Sequence, residues 1–389
     1  MLIAKKYFAV NWVDGMKLTQ QHFLDTDLHV ADLVRDTASL FLTKYNFGLL
    51  PPVHGTRLFS EIQLLDKVGN SVAVRVSRCN AITAGGCRIA INPETRDSDG
   101  NLLSTSLPVD ENVADADRPN YYAILTVHPF QRVPLGPLDP EESPVRHPFT
   151  DARYKLEVVQ TDRIKAEELG PYVLIIGRII FHDGRYLVDK DFIPPCTCME
   201  SHPRLLEYQA DFDGRLNALQ RDSFAIMRRI HAQPQPSSIT RNVRELCLRM
   251  ADYLGQILFN YRNLGSQHPP VHLLDYFNNL TSIVLTALYC MPAREKEELL
   301  HYFYEWTAVT PNSFEELLRN LVELDYRHQD IGASMQHVDR FLTVMESLWA
   351  KLSRLEYIGQ RKDNILVQEE NVRRPGPAAE PGRRWSIVD

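Results

Sequence analysis

"DFIPPCTCMESHPRLLEYQADFDGRL", residues 191–216, is the stretch in which the apolar spacing of the chain changes. Upstream of it, from about Arg57 to Lys190, apolar and polar residues alternate, as in "SVAVRVS" (Val72, Val74, Val76), "CRIAIN" (Cys87, Ile89, Ile91) and "YYAILTV" (Tyr121 to Val127). A period of two puts every second side chain on one face of an extended strand, so this part reads as half-buried β-strands. Downstream, Leu205, Tyr208, Phe212, Leu216, Leu219, Ser223, Ile226 and Ile230 recur every three or four residues, with polar Ser223 as the one break. That period lines one face of a helix, and its regular alternation is close to a coiled-coil seam. Asp191, Phe192, Pro194 and Pro195 therefore mark a junction between halves of different class.

The helical period continues to about residue 358. Val243, Met250, Leu254, Ile257, Tyr261 and Leu264 form a second seam that ends at Gly265, a residue suited to a C-terminal cap. A third helix is expected from Val271 to Tyr289, and a fourth from Pro292. "TPNSFEELL" carries Pro311 and the capping-box pair Ser313 and Glu316. In the last helix Ile331, Met335, Val338, Leu342, Met345, Trp349 and Leu352 alternate without fault, which favours a seam shared between chains. Beyond Tyr357, "RRPGPAAEPGRR" predicts a flexible tail. The expected architecture is α+β and multidomain: residues 1–197 as an antiparallel β part with one helix near 19–45, 198–310 and 311–358 as two helical regions, and 359–389 as the tail.

Within the β part, the Asp-Gly pairs of "DSDGNLL" (from Asp97) and "FHDGRYLV" (from Phe181) predict hairpin turns. Five prolines between Phe130 and Tyr154 predict a long surface loop instead of paired strand. Phe23, Val30, Val34, Ala38 and Phe41 share a helix face, which is expected to pack on the sheet.

At 44% hydrophobic, 24% charged and net charge −7, the chain has an ordinary globular composition without the basic bias of a nucleic-acid binder. The start "MLIAKKYFAV" is a poor signal peptide, and the longest apolar run, near Ser282, falls short of a membrane span, so a cytoplasmic location is expected. Six irregularly spaced cysteines suggest reduced, mostly buried thiols. Cys196, Cys198 and His202 lack the fourth partner of a structural zinc site, and neither metal nor cofactor is expected. No helical zinc-protease pair, nucleophile elbow, phosphate loop or dinucleotide fingerprint occurs, so no catalytic residue is assigned. Carboxylates such as Glu61 and Asp66 read as solvated strand-end charges.

Four separated stretches, taken in order, resemble one family. Trp12, Gly15, Met16, Leu18, Gln21, His22 and Phe23 form W-x-x-G-M-x-L-x-x-Q-H-F, followed by "FGLLP" from Phe47, and then by "DFIPP" and "NLGSQHPPVHLLDYFNNL" from Asn263. The pattern resembles TssK, the trimeric baseplate subunit of bacterial type VI secretion systems. The resemblance implies a β-sandwich-like shoulder like that of phage receptor-binding proteins, and a trimerising helical neck. It also implies a C-terminal part that meets the membrane complex at the cytoplasmic face of the inner membrane. Implied partners are further copies of the chain, the wedge proteins TssF and TssG, and TssL and TssM or a divergent equivalent. Leu205, Phe212, Leu216, Leu219, Met250, Leu254, Ile257 and Tyr261 then become the expected trimer seam, and the seven signature residues a shoulder clasp or partner contact. The family carries a mixed C-terminal domain where residues 311–358 read as helices, so the envelope contact is expected to fall to the helical end or to the Arg-rich tail. A phage-like receptor- or carbohydrate-binding trimer is the alternative.

Overall fold

The computed structural model describes residues 3–56, 58–68, 71–96, 100–109 and 113–359. The tail beyond Gly359 and part of the Asp97 turn lie outside them. The first sheet is organised by β3 (Ser71–Ile82), with which β1 (Gly48–Leu49), β2 (Glu61–Val68), β4 (Arg88–Ile91) and β5 (Ser104–Pro108) pair antiparallel. Val74 and Val76 of β3 are buried, and then Cys79 and Ala81. The alternation changes phase at Ser77, where the β2 register skips from Arg78 to Val76 and Ser77 Oγ donates to Glu61 Oε2 at 2.7 Å.

The second sheet runs β7 (Phe149–Gln160), β6 (Tyr121–Leu135), β8 (Val173–His182), β9 (Arg185–Val188), again antiparallel. Val74 and Leu107 of the first sheet meet Tyr121, Ile179 and Tyr186 of the second, so the sheets face one another. The Asp-Gly turn forms as expected: Asp183 (φ 50) and Gly184 (φ 76) sit between paired His182 and Arg185.

Two expectations need correction here. The proline-rich stretch from Phe130 is not a loop throughout, because β6 continues to Leu135 and β7 begins at Phe149, with Pro134 opposite Thr150. Since β8 pairs with β6 only over Tyr121–Thr126, the outer part of β6 has β7 as its single strand partner among the described residues, and an edge tolerates proline. The second correction concerns α1 (Gln20–Ser39). Its buried residues are Asp32, Arg35 and Ser39, whereas Phe23, Val30, Val34 and, just past its end, Phe41 are exposed. The helix turns its polar side inward.

Among the described residues six α-helices follow the junction: α2 (Pro203–His231), α3 (Ser238–Asn263), α4 (Pro270–Cys290), α5 (Ala293–Thr307), α6 (Pro311–Val322) and α7 (Ile331–Leu352). All seven seam residues of α7 are fully buried, and Trp349 Nε1 donates to buried Ser223 Oγ on α2 at 2.9 Å. The seam thus lies within one bundle, and the "break" at Ser223 is its hydrogen-bond acceptor. Residues 311–358 join that same bundle, with α6 against α4 and α7 against α2. Helix caps differ in detail from expectation. Thr310, not Ser313, accepts the capping bond of α6, from Ser313 N–H at 3.2 Å. Gly265 opens a short turn, where a Cβ would stand 3.1 Å from Gln209 Nε2, so close packing accounts for it.

Asp191–Thr197 forms a strap between the halves. Leu49 N–H donates to Pro195 O (2.7 Å), Thr197 N–H to Leu49 O (2.8 Å), and Ile331 N–H at the start of α7 to Ile193 O (3.0 Å). The backbones approach so closely that a Cβ on Gly48 or Gly332 would lie 2.1 Å from Pro195 O or Asp191 O. Arg178 of β8 adds an ion pair to Asp189 (2.7 Å) and to Asp330 (3.2 Å), which caps α7. Burial pushes the Asp330 carboxyl up, against the pull of Arg178. One continuous apolar cluster extends from Leu49 and Val76 through Cys196 to the bundle.

Candidate interaction surface

The signature residues converge at the start of α1. Gly15 (φ +79) makes a left-handed turn closed by Met16 N–H to Val13 O at 3.3 Å, which brings the chain back past Leu18 to Thr19, the helix N-cap. His22 Nδ1 accepts from Thr19 N–H at 3.2 Å, and Gln21 Nε2 donates to Asp25 at 2.7 Å. The Trp12 ring lies 5.9 Å from His22 edge-on and 6.5 Å from Phe23. His22 is therefore a helix-start group beneath an aromatic cap. Trp12 is 50%, Leu18 59% and Phe23 59% exposed, and Met16 is half-buried.

That surface continues along α1 through Val30 (51%), Val34 (63%) and Phe41 (74%). The inward side explains the orientation. Asp32 accepts from the backbone N–H groups of Lys6 and Tyr7 and from Arg35 Nε (2.8 Å), and both side chains are almost fully buried. Burial raises the Asp32 pKa, but the Tyr7 and Lys6 amides and Arg35 outweigh it and leave the carboxyl below its usual range. Gly86 lets the 83–87 turn close on this side, since a Cβ there would stand 2.4 Å from Arg35 O. The sequence does contain the signal: Asp32, Arg35 and Ser39, at helical spacing, are a polar stripe that has partners in the fold.

The other assigned residues have different surroundings. Leu205, Phe212, Leu216, Leu219, Met250, Leu254, Ile257 and Tyr261 are all buried within the single chain. Their surface is covered by neighbouring helices of the same bundle. Exposed on the outer side of α3 instead are Leu248 and Phe259, eleven residues apart and thus on one face.

At the junction, Phe192 is buried beneath the Arg178 guanidinium (5.0 Å), Asp191 pairs with Arg204 at 3.7 Å, and Pro194 O accepts from Cys196 Sγ. Burial pushes the Cys196 thiol well up. His202 caps α2 by accepting from Arg204 N–H, and burial with the Arg204 charge lowers its pKa to about 4. Among the described residues no three His, Cys, Asp or Glu converge as a metal site. Glu61 pairs with Ser77 and Arg78, and its hydrogen bond from Ser77 lowers its pKa. Asp66 has no described side chain. Among the described residues no helix is long and apolar enough to cross a membrane.

No protein-family model and no curated protein matches the sequence. Several solved structures match the fold. A crystal structure of TssK superposes with a TM-score of 0.50 at 15% identity, over 89% of this chain and 69% of that one. A chain of the baseplate complex from the type VI secretion system does so with 0.51 at 15% identity, over 88% of this chain and 99% of that one. This chain has a TssK-like fold. Antiparallel sheets followed by helices are consistent with that fold.

Proposed function

We propose that the protein is a structural component of a type VI secretion baseplate. It acts as a trimeric adaptor between TssF- and TssG-type wedge proteins and an envelope complex of the TssL and TssM kind. It works at the cytoplasmic face of the inner membrane and turns over no substrate. The observation that carries this reading is the outward apolar side of α1, continuous with the signature at Trp12–Phe23, on a TssK-like fold. Contiguous exposed apolar surface is characteristic of interaction sites, and burying a Val or Phe side chain contributes about 1.5–3 kcal/mol. A few such anchors account for a binding hot spot.

Self-association needs a surface other than the internal seam, and the Leu248 and Phe259 side of α3 is the candidate. The test is co-expression with TssF and TssG homologues, followed by affinity capture and light scattering. Capture of both wedge proteins by a trimer supports the reading; a monomer at micromolar concentration that captures neither refutes it.

A further inference from the structure

A hollow of about 670 Å³ lies where three segments meet: residues 43–47 after α1, 169–173 before β8, and 325–329 between α6 and α7. Its walls are held in place before anything binds. Thr43 N–H donates to Asn46 Oδ1, and Asn46 Nδ2 to Phe41 O, which fixes the first segment. Gly85 N–H donates to Pro171 O at 2.7 Å, which fixes the second. His328 sits between Tyr326 OH (2.9 Å) and Phe47 O (2.8 Å), which ties the third to the sheet half.

The chemistry of the lining is specific. Tyr45 and Tyr326 meet edge to face at 5.6 Å and, with Leu169 and Val173, offer an apolar wall. Lys44 lies over the Tyr45 ring at 4.8 Å and is attracted to Asp325, which offsets part of its charge. Arg327 is exposed and makes no ion pair among the described residues, an uncompensated cation on a chain of net charge −7. A preformed cleft with an apolar wall and a few polar groups is the usual form of a binding site.

We propose that this hollow is a docking site for an acidic peptide segment of a protein partner. An apolar side chain of the segment lies against Tyr45 and Tyr326, and a carboxylate pairs with Arg327. The fit follows from the apolar wall and from charge complementarity, and it goes beyond the baseplate reading without depending on it. The site spans both halves of the molecule, so its occupant braces the sheet half against the bundle.

The test uses the full chain alone, without wedge proteins. Fluorescein-labelled hexapeptides of alternating leucine with aspartate, asparagine or lysine are titrated by anisotropy. The aspartate peptide is expected to bind saturably, at least tenfold more tightly than the asparagine peptide, with the lysine peptide weakest. Arg327→Glu, at an exposed position, is expected to weaken the aspartate peptide at least tenfold with an unchanged melting temperature. No saturable binding by the aspartate peptide, equal binding of the three peptides, or an affinity unaffected by Arg327→Glu overturns the proposal. None of these outcomes bears on capture of wedge proteins.

Discussion

Gly332→Ala should be far more damaging than a helical glycine-to-alanine change ordinarily is. Gly332 occupies the first turn of α7, and its missing Cβ leaves room for the strap carbonyl of Asp191, only 2.1 Å from where that carbon would stand. An sp³ carbon cannot sit so close to a carbonyl oxygen, so α7 or the strap must move by about 1 Å, and overpacking of this kind costs about 1–3 kcal/mol. The displacement also lengthens the Ile331–Ile193 hydrogen bond, now 3.0 Å, worth about 1 kcal/mol. Helix propensity returns about 1 kcal/mol in favour of alanine. The net expectation is destabilisation by about 2 kcal/mol. Gly214, in the middle of α2, has nothing within 4 Å of a built Cβ, so Gly214→Ala should stabilise by about 0.5–1 kcal/mol. Urea unfolding of the two variants should therefore separate them by about 3 kcal/mol with opposite signs. Equal effects would refute the claim that the strap fits tightly between the halves.

Ser223→Ala leaves buried Trp349 Nε1 without its acceptor and should cost about 1–3 kcal/mol in urea unfolding, whereas an effect near zero contradicts the pairing. Asp32→Ala removes the acceptor for the Lys6 and Tyr7 amides and leaves Arg35 buried and unpaired, a loss of about 3–5 kcal/mol; hydrogen exchange at Lys6 and Tyr7 should rise with it, and unchanged protection argues against the inward polar stripe. Burial holds the His328 pKa at about 4, against an ordinary value of about 6.5, despite its bond to Phe47 O. The folded state then binds fewer protons than the unfolded one, so stability is complete above about pH 6.5 and is lost as pH falls toward 4. At pH 5 the loss is about 2 kcal/mol from this group, and His202, depressed in the same direction, adds to it. A stability that is flat from pH 7 to 5 contradicts this burial.

The change of period at Asp191–Pro195 was sufficient to place the sheets and the helices, because burial on one face imposes the period of whatever element is formed. Periodicity cannot say which surface covers an apolar stripe. In α2, α3 and α7 the cover is another helix of the same chain, so the seam at Leu216 and Leu254 is internal. Leu216→Asp and Leu254→Asp are accordingly expected to unfold the chain and not simply to dissociate copies. In α1 the inference from an apolar face to the core failed, because Asp32 and Arg35 find buried partners in the N-terminal segment and in each other. Those partners lie more than twenty residues away for Asp32, which local spacing does not reveal. Gly48 and Gly332 were equally silent as sequence, since their need for glycine comes from the strap that passes across them.

The most direct measurement compares binding of an immobilised TssF–TssG complex by the wild-type chain and by a Val30→Glu, Val34→Glu double variant. Both positions are exposed in the single chain, so the variant should keep its melting temperature. Loss of two apolar contacts of about 1.5 kcal/mol each corresponds to at least a 100-fold weaker Kd. A folded variant that has lost the wedge complex is the result expected; one that binds it as tightly as the wild type contradicts the assignment of α1 as the partner surface.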